Sequence, residues 1–496
     1  MSLATVHTRA LLGVESPPVT VEVHLSGGLP GLTMVGLPET AVKESRERVR
    51  SALLNCHFEF PARRITINLA PADLPKEGGR YDLAIALGIL VASNQLPITV
   101  LNNTEVLGEL TLGGEIRPVQ GAISAAMAVK HCGRRLVLPA DNAQEASLVS
   151  QLDCAYAKDL LSLCAHLRGE HRLPEFAPIA EHVNDRQAPD MSEVKGQELA
   201  KRALEVAAAG GHNLLYFGPP GTGKTLLAQR LPGILPPLTE HQALSVAAIY
   251  SVAGLHRQQH FCPPIRHPHH TASAVALVGG GSNPKPGEIS LAHSGVLFLD
   301  ELPEFQRSVL EVMREPLENG RIDIARANRQ VSYPAAFQLI AAMNPCPCGH
   351  YPEPRCSCTP DQVRRYRSKI SGPLLDRIDL HVAVINQPPS RLQQLPGGDS
   401  SGVIRQRVIA ARQRQVDRQG VSNAHLAGRN LDQHCAIDAP SAQFLEQATV
   451  KLGLSARAYH RILRVARTLA DLALSDTVQR SHLAEAIGYR QLDRTQ

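Results

Sequence analysis

The residues with the plainest chemistry are GPPGTGKT, Gly218 to Thr225. They fit G-x-x-x-x-G-K-[ST], a loop whose glycines let backbone N–H groups close around phosphates. Gly218, Pro219, Pro220, Gly221, Thr222 and Gly223 would form the cradle. Lys224 would reach the β- and γ-phosphates of ATP, and the Thr225 hydroxyl would hold Mg2+. About 75 residues on, GVLFLDE brings two acids to the end of an apolar run. There Asp300 would bind Mg2+ and Glu301 would activate the attacking water. A third run, FQLIAAMNP, ends in Asn344, which could orient that water; an ordinary Asn-Pro turn is the alternative.

Such residues need strands and helices to hold them. Apolar NLLYF predicts a strand entering the loop, and KTLLAQRL predicts a helix leaving it, whose N-terminus adds positive potential. Val296 to Leu299 and Phe337 to Met343 read as further buried strands. Nearer the N-terminus, Val19, Val21, Val23 and Leu25 alternate with polar or small neighbours, as do Ile65, Ile67 and Leu69. Between these two strands, Glu39 to Leu54 has helical spacing, and Tyr81 to Ser93 is apolar nearly all round, as a buried helix would be. Pro- and charge-rich stretches mark boundaries. The expected domains are 1–167, a linker 168–191, an ATPase core 192–386, a linker 387–402 and a helical end 403–496.

The 496 residues are 43% apolar and 20% charged, a globular composition that excludes a disordered chain, a collagen and a coiled-coil rod. No apolar run reaches the ~18 residues of a membrane span, and the N-terminal residues lack a secretory pattern, so a cytoplasmic protein with no membrane partner is expected. Arg321 to Lys369 holds 8 basic and 3 acidic residues, and Ser401 to the end holds 14 and 8. This basic later half suits a polyanion partner, or simply exposed arginines on helices. With no Trp and 4% aromatic residues, a base-stacking platform is disfavoured.

Loop, acid pair, Asn-ended strand, LLDRIDLHV (Leu374 to Val382) and SARAYHRILRVARTLADL (Ser455 to Leu472) together resemble an AAA+ ATPase. Within that class the chain resembles the magnesium-chelatase-like branch and its YifB/ComM family. HHTASAVALVGGGSNPKPGEISLAHSGVLFLDELPEF (His269 to Phe305) and MNPCPCGHY (Met343 to Tyr351) carry that likeness, and the match covers essentially the whole chain. The resemblance implies an α/β fold: an AAA+ P-loop core with a helical C-terminal lid, preceded by a Lon-protease-like (ribosomal protein S5 domain 2-like) α/β domain. It also implies that Arg377 is an arginine finger reaching a neighbouring subunit's ATP, and that Arg457 is a second sensor. A cation on the γ-phosphate raises the rate of P-loop hydrolysis by orders of magnitude. A local ion pair with Asp376 or Asp379 is the other reading of Arg377. A finger in trans implies a ring, a hexamer by family likeness. The resemblance further implies an ATP-driven helicase promoting DNA branch migration in recombination during natural transformation; a chelatase-like motor on a protein complex is the alternative.

Two insertions bear on what such a ring would grip. Asn319 to Ala335 alternates, pauses at Ala327-Asn328 and resumes, predicting a hairpin with Arg326 and Arg329 flanking its tip. Related helicase rings line their pores with such hairpins, and arginines there would hold single-stranded or branched DNA by its phosphates. A solvated turn is the plain alternative. Lys285, in Val278 to Ile289, is a weaker DNA-binding candidate. In the N-terminal region, Asp73 to Leu87 and Gly108 to Gly133 resemble the Lon-type fold, also found in the C-terminal part of the RadA repair protein. Arg80 stands at the apparent serine position and Ile123 at the lysine position, so the protease's nucleophile and base are both missing.

Cys346, Cys348, Cys356 and Cys358 form C-x-C-x7-C-x-C. Four thiols so close together suit a tetrahedral Zn2+ site with structural rather than catalytic duty; free thiols in a rigid turn are the alternative.

Overall fold

The structure, a computed structural model, describes residues 3–36, 40–174, 188–281, 284–326, 329–388 and 397–492, and at 40, 41, 43, 326 and 329 the backbone alone. The chain divides into two compact units. The first comprises Met1–His182, Ala243–His260 and Ala327–Tyr333; the second comprises Val183–Gln242, Phe261–Arg326 and Pro334–Gln496.

In the first unit a seven-stranded sheet runs in the order Gly31–Val35, Arg64–Ala70, Pro18–Ser26, Leu3–Arg9, Thr104–Val106, Arg135–Pro139, Cys154–Ala157. Pro18–Ser26 is antiparallel to both its neighbours, and the other pairings are parallel. Alternation in the two long strands buries Val19, Val21 and Val23 on the same face of the sheet as Ile65, Ile67 and Leu69, with Val21 opposite Leu69 and Val23 opposite Ile67, leaving the residues between them more open. The helix Asp82–Ala92 is buried along its whole length, as its uniformly apolar sequence requires. The Ser251 hydroxyl of this unit accepts from the Gly121 backbone N–H at 3.0 Å.

The second unit is built on a five-stranded parallel sheet ordered Ile265–Arg266, Val296–Leu299, Gln338–Met343, Leu214–Phe217, Leu380–Ala383. Its inner strands are buried nearly throughout, which explains their unbroken apolar runs. The helix after the phosphate loop ends sooner than its sequence predicts, at Ala228. Pro232 is the reason: its ring would collide with the carbonyl four residues back, so the chain turns and restarts as Leu231–Ile234.

From Ser401 onward the chain is helical: Ser401–Gln419, Gly428–His434, Ala439–Leu452, Ala456–Leu472 and Arg480–Gly488. Ser400, Asp438 and Ser455 cap three of these by accepting a backbone N–H three residues on. The helices share one apolar core with the parallel sheet, where Val465 and Ile487 meet Leu204 and Leu380. The stretch Arg321–Arg326 pairs with Arg329–Pro334 as a two-stranded sheet, with Ile322, Ile324, Val331 and Tyr333 buried. The expected tip, Ala327-Asn328, and the side chains of Arg326 and Arg329 lie outside the described residues, as do parts of both expected linkers. Among the described residues no helix is long and apolar enough to cross a membrane.

Candidate nucleotide site

Strand register brings the chemistry together. Phe217 lies opposite Met343, so Gly218 and Asn344 leave the sheet at one level, and Leu299, opposite Ala341, delivers Asp300 to the same edge. Ligands of parallel α/β sheets collect at this carboxyl edge. The strand ending in Asn344 sits between the loop strand and the acid strand, an order that chain sequence does not disclose.

Gly223 enters the loop helix at φ 91°, a left-handed conformation that a side chain would strain. Lys224 is 8% exposed, and its ammonium donates to the Gly218 and Pro219 carbonyls, both at 2.7 Å, and to Asn344 Oδ1 at 3.1 Å. Burial pulls its pKa down to about 8, against the opposing pull of Asp300 and Glu301. The cation is therefore held by its own loop's carbonyls beside two acids, an arrangement that phosphate oxygens would improve. Thr225 Oγ1 donates to Asp300 Oδ2 at 2.6 Å, so hydroxyl and carboxylate already face each other as two oxygen ligands of Mg2+ would. Glu301 has φ 53°, left-handed and costly for a residue with a side chain, the kind of backbone distortion concentrated at functional sites.

Other expected residues are placed differently. Arg377 is 7% exposed; its guanidinium donates to the Pro373 carbonyl at 2.5 Å and pairs with Glu318 rather than with Asp376 or Asp379. Burial, then the charges of Arg314, Arg457 and Arg461, lower its pKa. Despite its own burial, Asp379 is held far below the carboxylate range by Arg461 at 2.6 Å and by His212. Arg457 is largely exposed and pairs with Asp376 at 3.8 Å. Lys285 is exposed, opposite Gly280 in a short antiparallel pair.

The four cysteines do converge. Their sulfurs lie within 4.8 Å of one another, and none is in a disulfide. Backbone N–H groups of His350 and then Ser357 draw the Cys348 thiol down to about 5.

Sequence reasoning missed three contributors. His270 Nδ1 lies 3.3 Å from the Glu301 carboxylate, its ring 4.1 Å from that of His269. Gln197 ties the phosphate loop in place by donating to the carbonyls of Thr222 at 3.3 Å and Ile385 at 2.7 Å. Glu318 covers Arg377. The paired histidines opening a family-like stretch were a usable signal; the other two contacts leave no local pattern.

A parallel sheet with a phosphate loop, a hydroxyl–carboxylate pair and an Asn-ended strand between them defines a P-loop nucleotide-binding protein whose core fits the AAA+ class. Residues 190–392 match the family described as magnesium chelatase, subunit ChlI, residues 21–142 its "Subunit ChlI of Mg-chelatase" description, and residues 398–490 the ChlI C-terminal family. The chain is 54% identical to YifB of Salmonella typhimurium and 52% identical to YifB of Escherichia coli, each over 100% of this chain and 98% of the relative. It is 50% identical, with the same coverage, to the competence protein ComM of Haemophilus influenzae. The chain belongs to the magnesium-chelatase-like YifB/ComM family.

Proposed function

We propose that this protein is an ATP-driven ring motor acting on DNA, a helicase promoting branch migration in recombination during natural transformation. The observation that carries the reading is the meeting of Lys224, Thr225, Asp300 and Asn344 at one sheet edge, with a buried cation held, among the described residues, by loop carbonyls and one amide. The name of the Haemophilus relative, a competence protein at 50% identity over its length, supports the biological setting.

In this reading the backbone of Gly218 to Gly223 binds the phosphates and Lys224 neutralises the β- and γ-oxygens. Mg2+, when bound through Thr225 and Asp300, would supply charge neutralisation at the transferred phosphoryl group. Glu301 takes the proton of the attacking water, and Asn344 orients that water. Arg377 acts on a neighbouring subunit's nucleotide, which requires release from Glu318 as the ring, a hexamer by family likeness, assembles. Arg457, at the start of the helix Ala456–Leu472, serves as the second sensor of a helical lid. The first unit, in the proposed Lon-like, ribosomal S5 domain 2-like role, contributes no proteolysis: Arg80 and Ile123, both buried, stand at the apparent sequence positions of the protease's serine and lysine. Zn2+ at the four thiols has a structural place. Arg326, Arg329 and Lys285 grip DNA phosphates.

The test is ATPase activity with forked or four-way DNA. Stimulation is expected, and Arg326→Ala combined with Arg329→Ala should abolish it. A second reading, a motor remodelling a protein complex, draws on the chelatase descriptions of the matching families. Absence of DNA stimulation in the unaltered protein would favour it.

A further inference from the structure

The segment Cys346 to Cys358 has neither helix nor strand, and most of its residues are partly or fully exposed. Such a segment cannot hold its shape by burying apolar surface. Four sulfurs nevertheless converge within it. Cys346 and Cys348 are 3.4 Å apart, Cys348 and Cys356 3.5 Å, and Cys346 and Cys356 3.8 Å. Four sulfurs placed about 2.3 Å from a central Zn2+ lie about 3.8 Å from one another. The cluster therefore has nearly the dimensions of a filled tetrathiolate site. Disulfide pairing would need about 2.05 Å and a different geometry.

What this segment touches matters more. Gly349, between the two cysteine pairs, has φ 85°, and a Cβ built there would stand 2.7 Å from Cδ of Pro220 in the phosphate loop. Two residues before Cys346 is Asn344, which accepts from Lys224. After Cys358, Thr359 opens the helix Pro360–Arg367 with a reciprocal capping box. That helix returns to the same place: Arg367 donates to the Pro345 carbonyl at 3.2 Å and lies over the Tyr351 ring. The segment is thus anchored at both ends beside the nucleotide site and meets its loop in the middle. Within it, turn hydrogen bonds such as Gly349 N–H to the Cys346 carbonyl at 3.0 Å and Cys356 N–H to the Glu353 carbonyl at 2.9 Å are local, and the thiols bring its two cysteine pairs together.

We propose that Zn2+ bound by Cys346, Cys348, Cys356 and Cys358 is a brace on the nucleotide site, pressing Gly349 against Pro220 and fixing the Asn344 end of its strand, so that ATP turnover depends on the metal. Zn2+ takes the four sulfurs as thiolates, their protons passing to solvent, and its coordination is then complete, leaving no position for substrate. The inference rests on the phosphate-loop reading above, and the experiment separates the two.

Metal content of the full chain, purified without chelator, should be about one zinc per chain, and replacement by Co2+ should give the visible absorption of a tetrahedral thiolate complex. Cys356→Ser with Cys358→Ser should lose the metal and the Co2+ spectrum, and turnover should fall about a hundredfold, as displacement of catalytic groups by ~1 Å does. Gly349→Ala should keep its zinc yet lose turnover, since it disturbs the contact and not the ligands. Circular dichroism of both variants must match the parent chain. A parent chain that carries no zinc and takes up no Co2+ would overturn the site. A folded, zinc-free double variant with undiminished turnover would overturn the brace while leaving the phosphate loop intact. A zinc-loaded parent chain that binds no fluorescent ATP analogue would overturn the phosphate-loop reading, and the brace with it.

Discussion

Both units bury charged side chains, and the way each is satisfied separates structure from chemistry. In the first unit Arg9 meets Glu105 through two bonds of 2.6 and 3.1 Å, with Arg134 added at 3.3 Å, and Arg48 grips Asp82 at 2.8 Å. Those charges are neutralised by partners the fold itself supplies. Lys224 in the second unit has carbonyls, an amide and a depressed pKa, with a hydroxyl–carboxylate pair alongside. A buried lysine alone is not the distinction. Lys76 of the first unit is also fully buried and donates to the carbonyls of Gly36 and Pro71, and its pKa is likewise lowered by burial. Among the described residues Lys76 has no hydroxyl–carboxylate pair beside it, so it reads as a strut between two loops. An incompletely neutralised cation marks a site only where groups of complementary chemistry face it.

That contrast can be broken in graded ways. The largest effect should come from Glu301→Gln, which removes the proposed base and leaves the cradle: ATP affinity should be retained and turnover should fall by about 10²–10⁴-fold. Nucleotide titration beside a phosphate-release assay would check it. The pH dependence is smaller and has opposite signs for two observables. Burial keeps Lys224 near 8, below the usual lysine value, so phosphates must recharge it above that pH. Affinity for ATP should be flat below about pH 7 and fall above about 8, approaching tenfold per unit. Over the same range the nucleotide-free protein should gain stability, because unfolded Lys224 binds a proton that the folded form has shed. Calorimetry of binding and of unfolding across pH 6.5 to 9.5, roughly the span of that titration, reads both. The smallest effect on the nucleotide should be that of Lys76→Met. Two carbonyls lose their donor, costing about 1–3 kcal/mol of stability, while ATP affinity changes by less than about twofold. A large loss of ATP affinity there would erase the distinction between strut and site.

How far the sequence discloses this differs by element. The phosphate loop and the acid pair are legible because their chemistry needs fixed residues at fixed spacing, and the buried parallel strands because burial on both faces leaves apolar runs. The early end of the loop helix was also written, in Pro232, though the apolar run across it hid the break. Three things were not legible. Sheet order, with the Asn344 strand between the other two, follows from packing and not from chain order. The pairing of Arg377 with Glu318 joins residues 59 apart, so the nearer Asp376 and Asp379 misdirect a local reading. The contact of Gly349 with Pro220 depends on the absence of an atom, which leaves no periodic trace.

In the proposed ring, ATP is hydrolysed in a cleft to which one protomer brings Lys224 and its neighbour brings Arg377. Mixing two inactive proteins tests it most directly, one carrying Lys224→Ala and the other Arg377→Ala, co-assembled before turnover is measured. The mixture should regain ATPase activity that neither protein shows alone, because some interfaces then combine an intact cradle with an intact guanidinium. An Arg377→Ala protein that hydrolyses ATP alone at the parent rate would contradict the account.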